Sequence, residues 1–274
     1  EFRRVLFRSQ FFREEYGGSN MNTLSSVILA EELGRSSFGG FAVTVMVHTD
    51  MASPHLENFG SKAQKDKYMP DLIAGKKICA VGVTEPDAGS DVAGMRTTAV
   101  EDGDSYVLNG TKMFITNGVK GDVYFVAAKT DTTVKASRGV TIFIVDKGMP
   151  GFTVSRALDK QGWRSSDTAE LVFDNCRVPK ENILGELNKG FYSIMRNFQN
   201  ERTVLAAQSI GEAAKALEIT LQYVQERKAF GETLWDKQTI RQRLAMLQAK
   251  VEAGRQLTYH AAWLDSMGQD CVKE

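Results

Sequence analysis

The chain is poor in the residues that would commit it to a special class. Three cysteines in 274 residues, Cys79, Cys176 and Cys271, stand about a hundred positions apart, too sparse for a disulfide framework and without C-x-x-C spacing. A reducing compartment is the expectation. The longest apolar runs, such as Ile142–Val145, fall far below the ~20 residues of a membrane-crossing helix, so no membrane span is expected. Lysines and arginines number 34, as do aspartates and glutamates; a zero net charge gives no footprint for nucleic acid. The three histidines, His48, His55 and His260, lack a second ligand type at metal spacing and read as structural, with no metal. Cys176 reads as a plain small residue in an exposed strand exit, without a histidine to activate it. Trp163, Trp235 and Trp263 read as packing anchors.

What is present is an ordinary globular composition, 42% hydrophobic and 25% charged, with enough chain for one large domain or two modest ones. The first nine residues, EFRRVLFRS, carry three arginines but no apolar core for a signal peptide. Residues 3–9 can be encoded by CGA CGT GTG CTC TTC CGA TCT, which resembles a sequencing adapter read in frame, so residues 1–9 are expected to be a non-native scar. The last four residues, Cys271–Glu274, hold no Gly, Pro or cap signal, and the natural chain is expected to continue.

Periodicity divides the remainder into three. Between residues 20 and 74 apolar positions recur at helical spacing (Leu24, Val27, Ile28, Leu33; Tyr68, Met69, Leu72, Ile73), interrupted by Gly34, Gly39-Gly40 and Gly60-Ser61; three helices are expected. From Ile78 short β-branched or aromatic runs take over, at 78–83, 106–108, 112–115, 123–127, 140–145 and 170–173. Asp102-Gly103, Asn109-Gly110, Asn117-Gly118 and Pro150-Gly151 punctuate them, the pattern of an antiparallel β unit. After Gly190 two long helical patterns follow, to about Arg227 and from Lys237 to about Met267. The fold class is therefore α+β and multidomain: N-terminal helices over 10–77, a middle antiparallel, barrel-like β domain over 78–186, and a C-terminal helical bundle over 187–274.

Two features carry candidate chemistry. Phe191, Ile194, Phe198, Glu201 and Leu205 succeed one another at steps of three and four, so Glu201 lies within an apolar helix stripe. Burial disfavours the ionised carboxylate and raises its pKa, the tuning a general base for a weakly acidic C–H requires. A buried structural ion pair with Arg202 is the competing reading, and on periodicity alone the commoner one. The second feature is the turn-rich stretch Val83–Asp91, which follows a strand and holds Pro86, Gly89 and several short polar side chains. Such a loop can offer N–H groups and hydroxyls to a planar polar ligand; an ordinary connection is the plainer reading.

The letters of that loop, TEPDAGSD, resemble the flavin-loop signature TEPxAGSD of the acyl-CoA dehydrogenases. NGTKMFITNG (109–118), SSDTAELVFDNCRVP (165–179) and ERKAFGETLWDKQ (226–238) resemble further motifs of the same family, in the same order and spacing. The resemblance implies FAD as cofactor, with Val81, Gly82, Val83, Thr84, Ala88, Gly89 and Ser90 on one side of its ring and Phe114, Ile115 and Thr116 on the other. Phe114 stands where many members have Trp, so an aromatic wall is kept without an indole N–H. Arg227, Lys228, Ala229, Lys237 and Gln238 match a segment that reaches the FAD of a neighbouring subunit. Ser90, Ser137, Gln199, Asn200 and Arg202 match substrate contacts. Most members carry the catalytic Glu near the C-terminus; the isovaleryl and long-chain types carry it at the position of Glu201, and NKGFYSIM, QNER and DTAEL resemble the long-chain type. The resemblance thus falls on the residue that the stripe singles out, and favours a base there over a structural ion pair.

The implied reaction is α,β-dehydrogenation of a fatty acyl-CoA, with electrons passed to an electron-transfer flavoprotein, in a homotetramer of the bacterial cytoplasm or mitochondrial matrix. Part of the enolate-stabilising donor set is implied to lie beyond Glu274. An oxidase or flavin monooxygenase of the same fold, and a non-catalytic interaction module, are the alternatives.

Overall fold

The computed structural model describes residues 12–273; the expected scar at residues 1–9 lies outside them. The chain resolves into two compact units. One contains Val43–Glu201 with the described residues before Asn22, and the other contains Asn22–Ala42 and the residues from Arg202 onward.

The helical periodicity near the start gives α1 (Thr23–Arg35), then a continuous run in which α2 (Gly39–Met46) passes through a π-helical segment (Val47–Ala52) into α3 (Ser53–Phe59), then α4 (Lys62–Ile73). Ser61 stops the chain and restarts it: its hydroxyl accepts from Gln64 N while the Gln64 side chain accepts from Ser61 N, a reciprocal capping box. The strands are β1 (Cys79–Gly82), β2 (Thr98–Asp102), β3 (Ser105–Thr116), β4 (Val123–Lys129), β5 (Val140–Asp146), β6 (Phe152–Ala157), β7 (Thr168–Pro179) and β8 (Ile183–Leu184). Helix α5 (Gly190–Glu226) follows, then a small hairpin of β9 (Lys228–Ala229) and β10 (Glu232–Thr233), and α6 (Gln238–Ser266).

The sheet corrects two expectations. Its order is β6-β7-β3-β2-β4-β5-β8, with β1 paired to β4 off that path, so it is not closed into a barrel. Nor is it wholly antiparallel, because β1 and β2 both pair β4 in parallel. A parallel pair needs a long connection, and the forty positions between Gly82 and Val123 supply it. Asn109-Gly110 does not turn the chain either. It lies inside β3 at a register shift against β7, where Gly110 has φ +149° and a Cβ would meet Thr97 Oγ1 at 2.4 Å; only glycine fits such a bulge.

Within the first unit the period-2 rule sorts side chains into two cores. Phe125 and Ala127 of β4, with Ile142 and Ile144 of β5, join Leu56, Tyr68, Leu72 and Ile194 of the helices. The alternate residues Tyr124, Val126, Phe143 and Val145 join Leu108, Leu171 and Phe173 on the other face. Both strands are therefore buried on both sides, which explains their unbroken apolar spelling. In the second unit, α1 and the later part of α5 approach closely at Gly34 and Gly211; a Cβ on Gly211 would lie 2.0 Å from Glu31 O. Leu217, Val224 and Leu244 form a further core there, with Trp235 packed against it.

Candidate active site

The Val83–Asp91 loop is held from beneath by a buried ion pair. Glu85 is 5% exposed; its carboxylate accepts from Arg96 N (2.5 Å), Thr97 N (3.0 Å) and Lys112 Nζ (2.7 Å). Lys112, wholly buried on β3, also donates to Val83 O (3.1 Å). Burial opposes the Glu85 charge, yet Lys112 and the backbone N–H groups outweigh it and hold the carboxyl below its usual range. Burial lowers the Lys112 ammonium to about 8, with Glu85 resisting the fall. Met113 N donates to Thr84 O (2.8 Å), and Glu85 and Ala88 exchange backbone bonds across the turn. Val83 and Ala88 sink into the helix-side core while Gly89 and Ser90 stay exposed, with open space around Gly89.

On β3, two residues beyond Lys112, Phe114 adopts φ +62° and leaves 66% of its surface exposed. Such a backbone costs a bulky residue about 1–3 kcal/mol, strain that gathers at functional positions. Ile115 behind it is buried and Thr116 half-buried. The ring borders an open cleft of about 620 Å³ lined also by Arg156, Leu158, Lys160 and Thr168. An exposed ring on a strained backbone, a tethered loop with open glycine and serine positions, and an adjoining cleft suit a large planar ligand.

Glu201 is half-buried, and its Oε1 accepts from Asn197 Nδ2 (2.7 Å). Asn197, 5% exposed, also donates to Met51 O (2.8 Å), and Asn200 Nδ2 donates to Asp50 O (2.8 Å). Phe191, Ile194 and Phe198 pack into the same core as Val83 and Ala88. The apolar stripe gives out at Leu205, which is 37% exposed. Gln199 is half-buried and Arg202 exposed; Ser137 lies in a 3-10 turn between β4 and β5, half-exposed.

Val81–Ser90, Phe114–Thr116, Ser137 and Gln199–Glu201 fall in the first unit, while Arg202, Arg227, Lys228, Ala229, Lys237 and Gln238 belong to the second. There Arg227 and Lys228 are exposed at the β9–β10 hairpin, and Lys237 pairs with Glu232 (2.5 Å). Sequence reading missed the Glu85–Lys112 pair, whose members lie 27 positions apart, and Asn197, whose place one turn before Glu201 was the available signal. Cys176 is buried, not exposed, and burial raises its thiol to about 11. Trp163 and Trp263 are each 46% exposed and do not anchor a core. Among the described residues no His, Cys, Asp or Glu cluster could hold a metal, and no helix is long and apolar enough to cross a membrane.

Comparison with known proteins fits this geometry. Acyl-CoA dehydrogenase N-terminal, middle and C-terminal domains match residues 9–76, 80–176 and 188–274. The chain belongs to the acyl-CoA dehydrogenase family. It is 44% identical to the mitochondrial isovaleryl-CoA dehydrogenase of Pongo abelii, over 95% of this chain and 62% of that protein. The butyryl-CoA dehydrogenase of Megasphaera elsdenii superposes with TM-score 0.93 at 39% identity, over 98% of this chain and 71% of the other. PigA in its FAD complex superposes with TM-score 0.94 at 31% identity, over 98% and 71%. The chain spans about three fifths of the length of the curated relatives it matches.

Proposed function

We propose that the full-length protein carrying this chain dehydrogenates a fatty acyl-CoA thioester between Cα and Cβ, with Glu201 as the base, giving the trans-2-enoyl-CoA. One observation carries the reading: the helical turn before Glu201 and the Val83–Asp91 loop rest on a single apolar core within one compact unit. An α C–H is a weak acid, so its base must be partly desolvated and fixed in direction. Glu201 meets both demands, being half-buried and hydrogen-bonded by Asn197. Its carboxylate takes the α-proton and becomes the neutral acid.

The residues present fit FAD. Val81–Thr84 and Ala88–Ser90 are proposed to line one side of its ring and Phe114–Thr116 the other, with Arg227, Lys228, Ala229, Lys237 and Gln238 reaching the FAD of a partner subunit in a homotetramer. FAD, when bound, supplies the acceptor for the two electrons that leave with the β-hydrogen. Ser90, Ser137, Gln199, Asn200 and Arg202 are proposed to hold the acyl-CoA. Arg227 suits phosphate because its guanidinium offers paired donors. The proposed electron acceptor is an electron-transfer flavoprotein.

The test is an anaerobic titration of the FAD-loaded protein with acyl-CoAs of varied length and branching. Bleaching of the visible flavin band followed by slow reoxidation in air supports the dehydrogenase. Fast reoxidation with peroxide assigns an oxidase, and no bleaching with any thioester overturns the reading.

A further inference from the structure

We infer that Asn197 is a positioning residue, aiming the Glu201 carboxylate from the buried π-helical segment. The inference rests on the reading of Glu201 as the base. Asparagine is a poor helix former because its amide competes for backbone partners, yet Asn197 sits inside the 37-residue helix α5. Both donors of its amide are employed: Nδ2 donates to Met51 O at 2.8 Å and to Glu201 Oε1 at 2.7 Å.

Met51 belongs to the π-helical segment, all six residues of which are buried. A π-turn alters the carbonyl ladder of a helix and recurs at functional sites. Here two successive carbonyls of that segment receive two amides from one face of α5, Asp50 O from Asn200 and Met51 O from Asn197. The graft fixes the Asn197 side chain, which is itself only 5% exposed. A glutamate has three rotatable bonds, so its carboxylate sweeps a wide arc unless a rigid donor stops it. Asn197 is that donor: it takes one oxygen and fixes the direction of the group. An aligned base lowers the barrier of a proton transfer, whereas substrate affinity has little stake in its alignment.

Replacing Asn197 by Leu keeps the volume and removes both donors. In the full-length FAD-loaded protein, Asn197→Leu is expected to lower kcat about 10- to 100-fold, the range of one hydrogen bond to a charged group, with KM within about twofold. A purely structural tether predicts instead loss of bound FAD and a lower melting temperature without a selective fall in kcat, and that result overturns the proposal.

Asn197→Asp decides the matter independently of activity and of a foldable Leu variant. It sets a second carboxylate within bonding range of Glu201, while Asp50 on the π-segment and Arg202 beside Glu201 are left as they are. Two carboxyls so placed share a proton, so the ligand-free protein should show a protonated-carboxyl infrared band at neutral pH that shifts when Glu201→Gln is added, since the acid then bonds only Met51 O and the amide. A band that does not move, or no band at all, refutes the contact. Should the band appear and shift while Glu201→Gln alone keeps the parental reduction rate, the contact stands and the assignment of the base fails.

Discussion

Lys112→Met is the sharpest perturbation of the loop architecture. The side chains of Lys112 and Glu85 are 0% and 4% exposed, and their 2.7 Å contact is reinforced by bonds from Arg96 N and Thr97 N and to Val83 O. Methionine fills most of the lysine volume, so packing changes little and the loss is electrostatic. Removing one member of a buried pair strands the other charge and costs about 3–5 kcal/mol, whereas removing both together costs much less. Lys112→Met is therefore expected to lose about 3–5 kcal/mol, and Lys112→Met with Glu85→Gln to recover at least about 1–2 kcal/mol of it, since Gln keeps an acceptor oxygen for the backbone N–H groups. Urea unfolding followed by circular dichroism at constant m-value gives both numbers. Strict additivity of the two substitutions, or a single-variant loss below about 1 kcal/mol, would refute the reasoning.

Acid should destabilise the first unit through two buried histidines. His48 binds Leu72 O through Nε2 (3.1 Å) and accepts from Cys79 N at Nδ1 (3.1 Å), an arrangement that requires the neutral ring; burial lowers both His48 and His55 from 6.5 to about 4. The unfolded chain then binds more protons between pH 6.5 and 4, so stability falls as pH falls through that window, by about 3 kcal/mol per histidine at 1.36 kcal/mol per pH unit; a flat urea-derived stability from pH 7 to 4.5 contradicts this. Gly211→Ala should cost at least about 1–3 kcal/mol by forcing a Cβ to within 2.0 Å of Glu31 O, seen as a lower melting temperature; an unchanged melt argues against the close crossing.

Legibility in the sequence followed the range of the interactions. Helices α5 and α6 were readable to within a residue or two because their signals are local, a 3.6-residue period with Gly190 starting one and Lys237-Gln238 opening the other. The sandwiched strands β4 and β5 announced themselves by unbroken apolar runs. Strands β2 and β6 did not, since most of their residues are exposed and spell like loops. Asn109-Gly110 deceived because a bulge and a hairpin turn both ask for a residue that tolerates positive φ, and only the approach of Thr97 distinguishes them. Glu201 stood out in the sequence as the charged residue of its stripe, and the structure leaves it half-buried. Lys112 did not stand out, since a buried lysine is intelligible only beside the distant carboxylate that neutralises it.

The role of Glu201 is tested most directly by the stopped-flow rate of flavin bleaching in Glu201→Gln, measured anaerobically in the full-length protein with FAD bound, beside the parent given α-deuterated acyl-CoA. Loss of bleaching with the flavin spectrum intact, together with a primary isotope effect in the parent, is the predicted result. A glutamine variant that bleaches as fast as the parent would contradict the central claim.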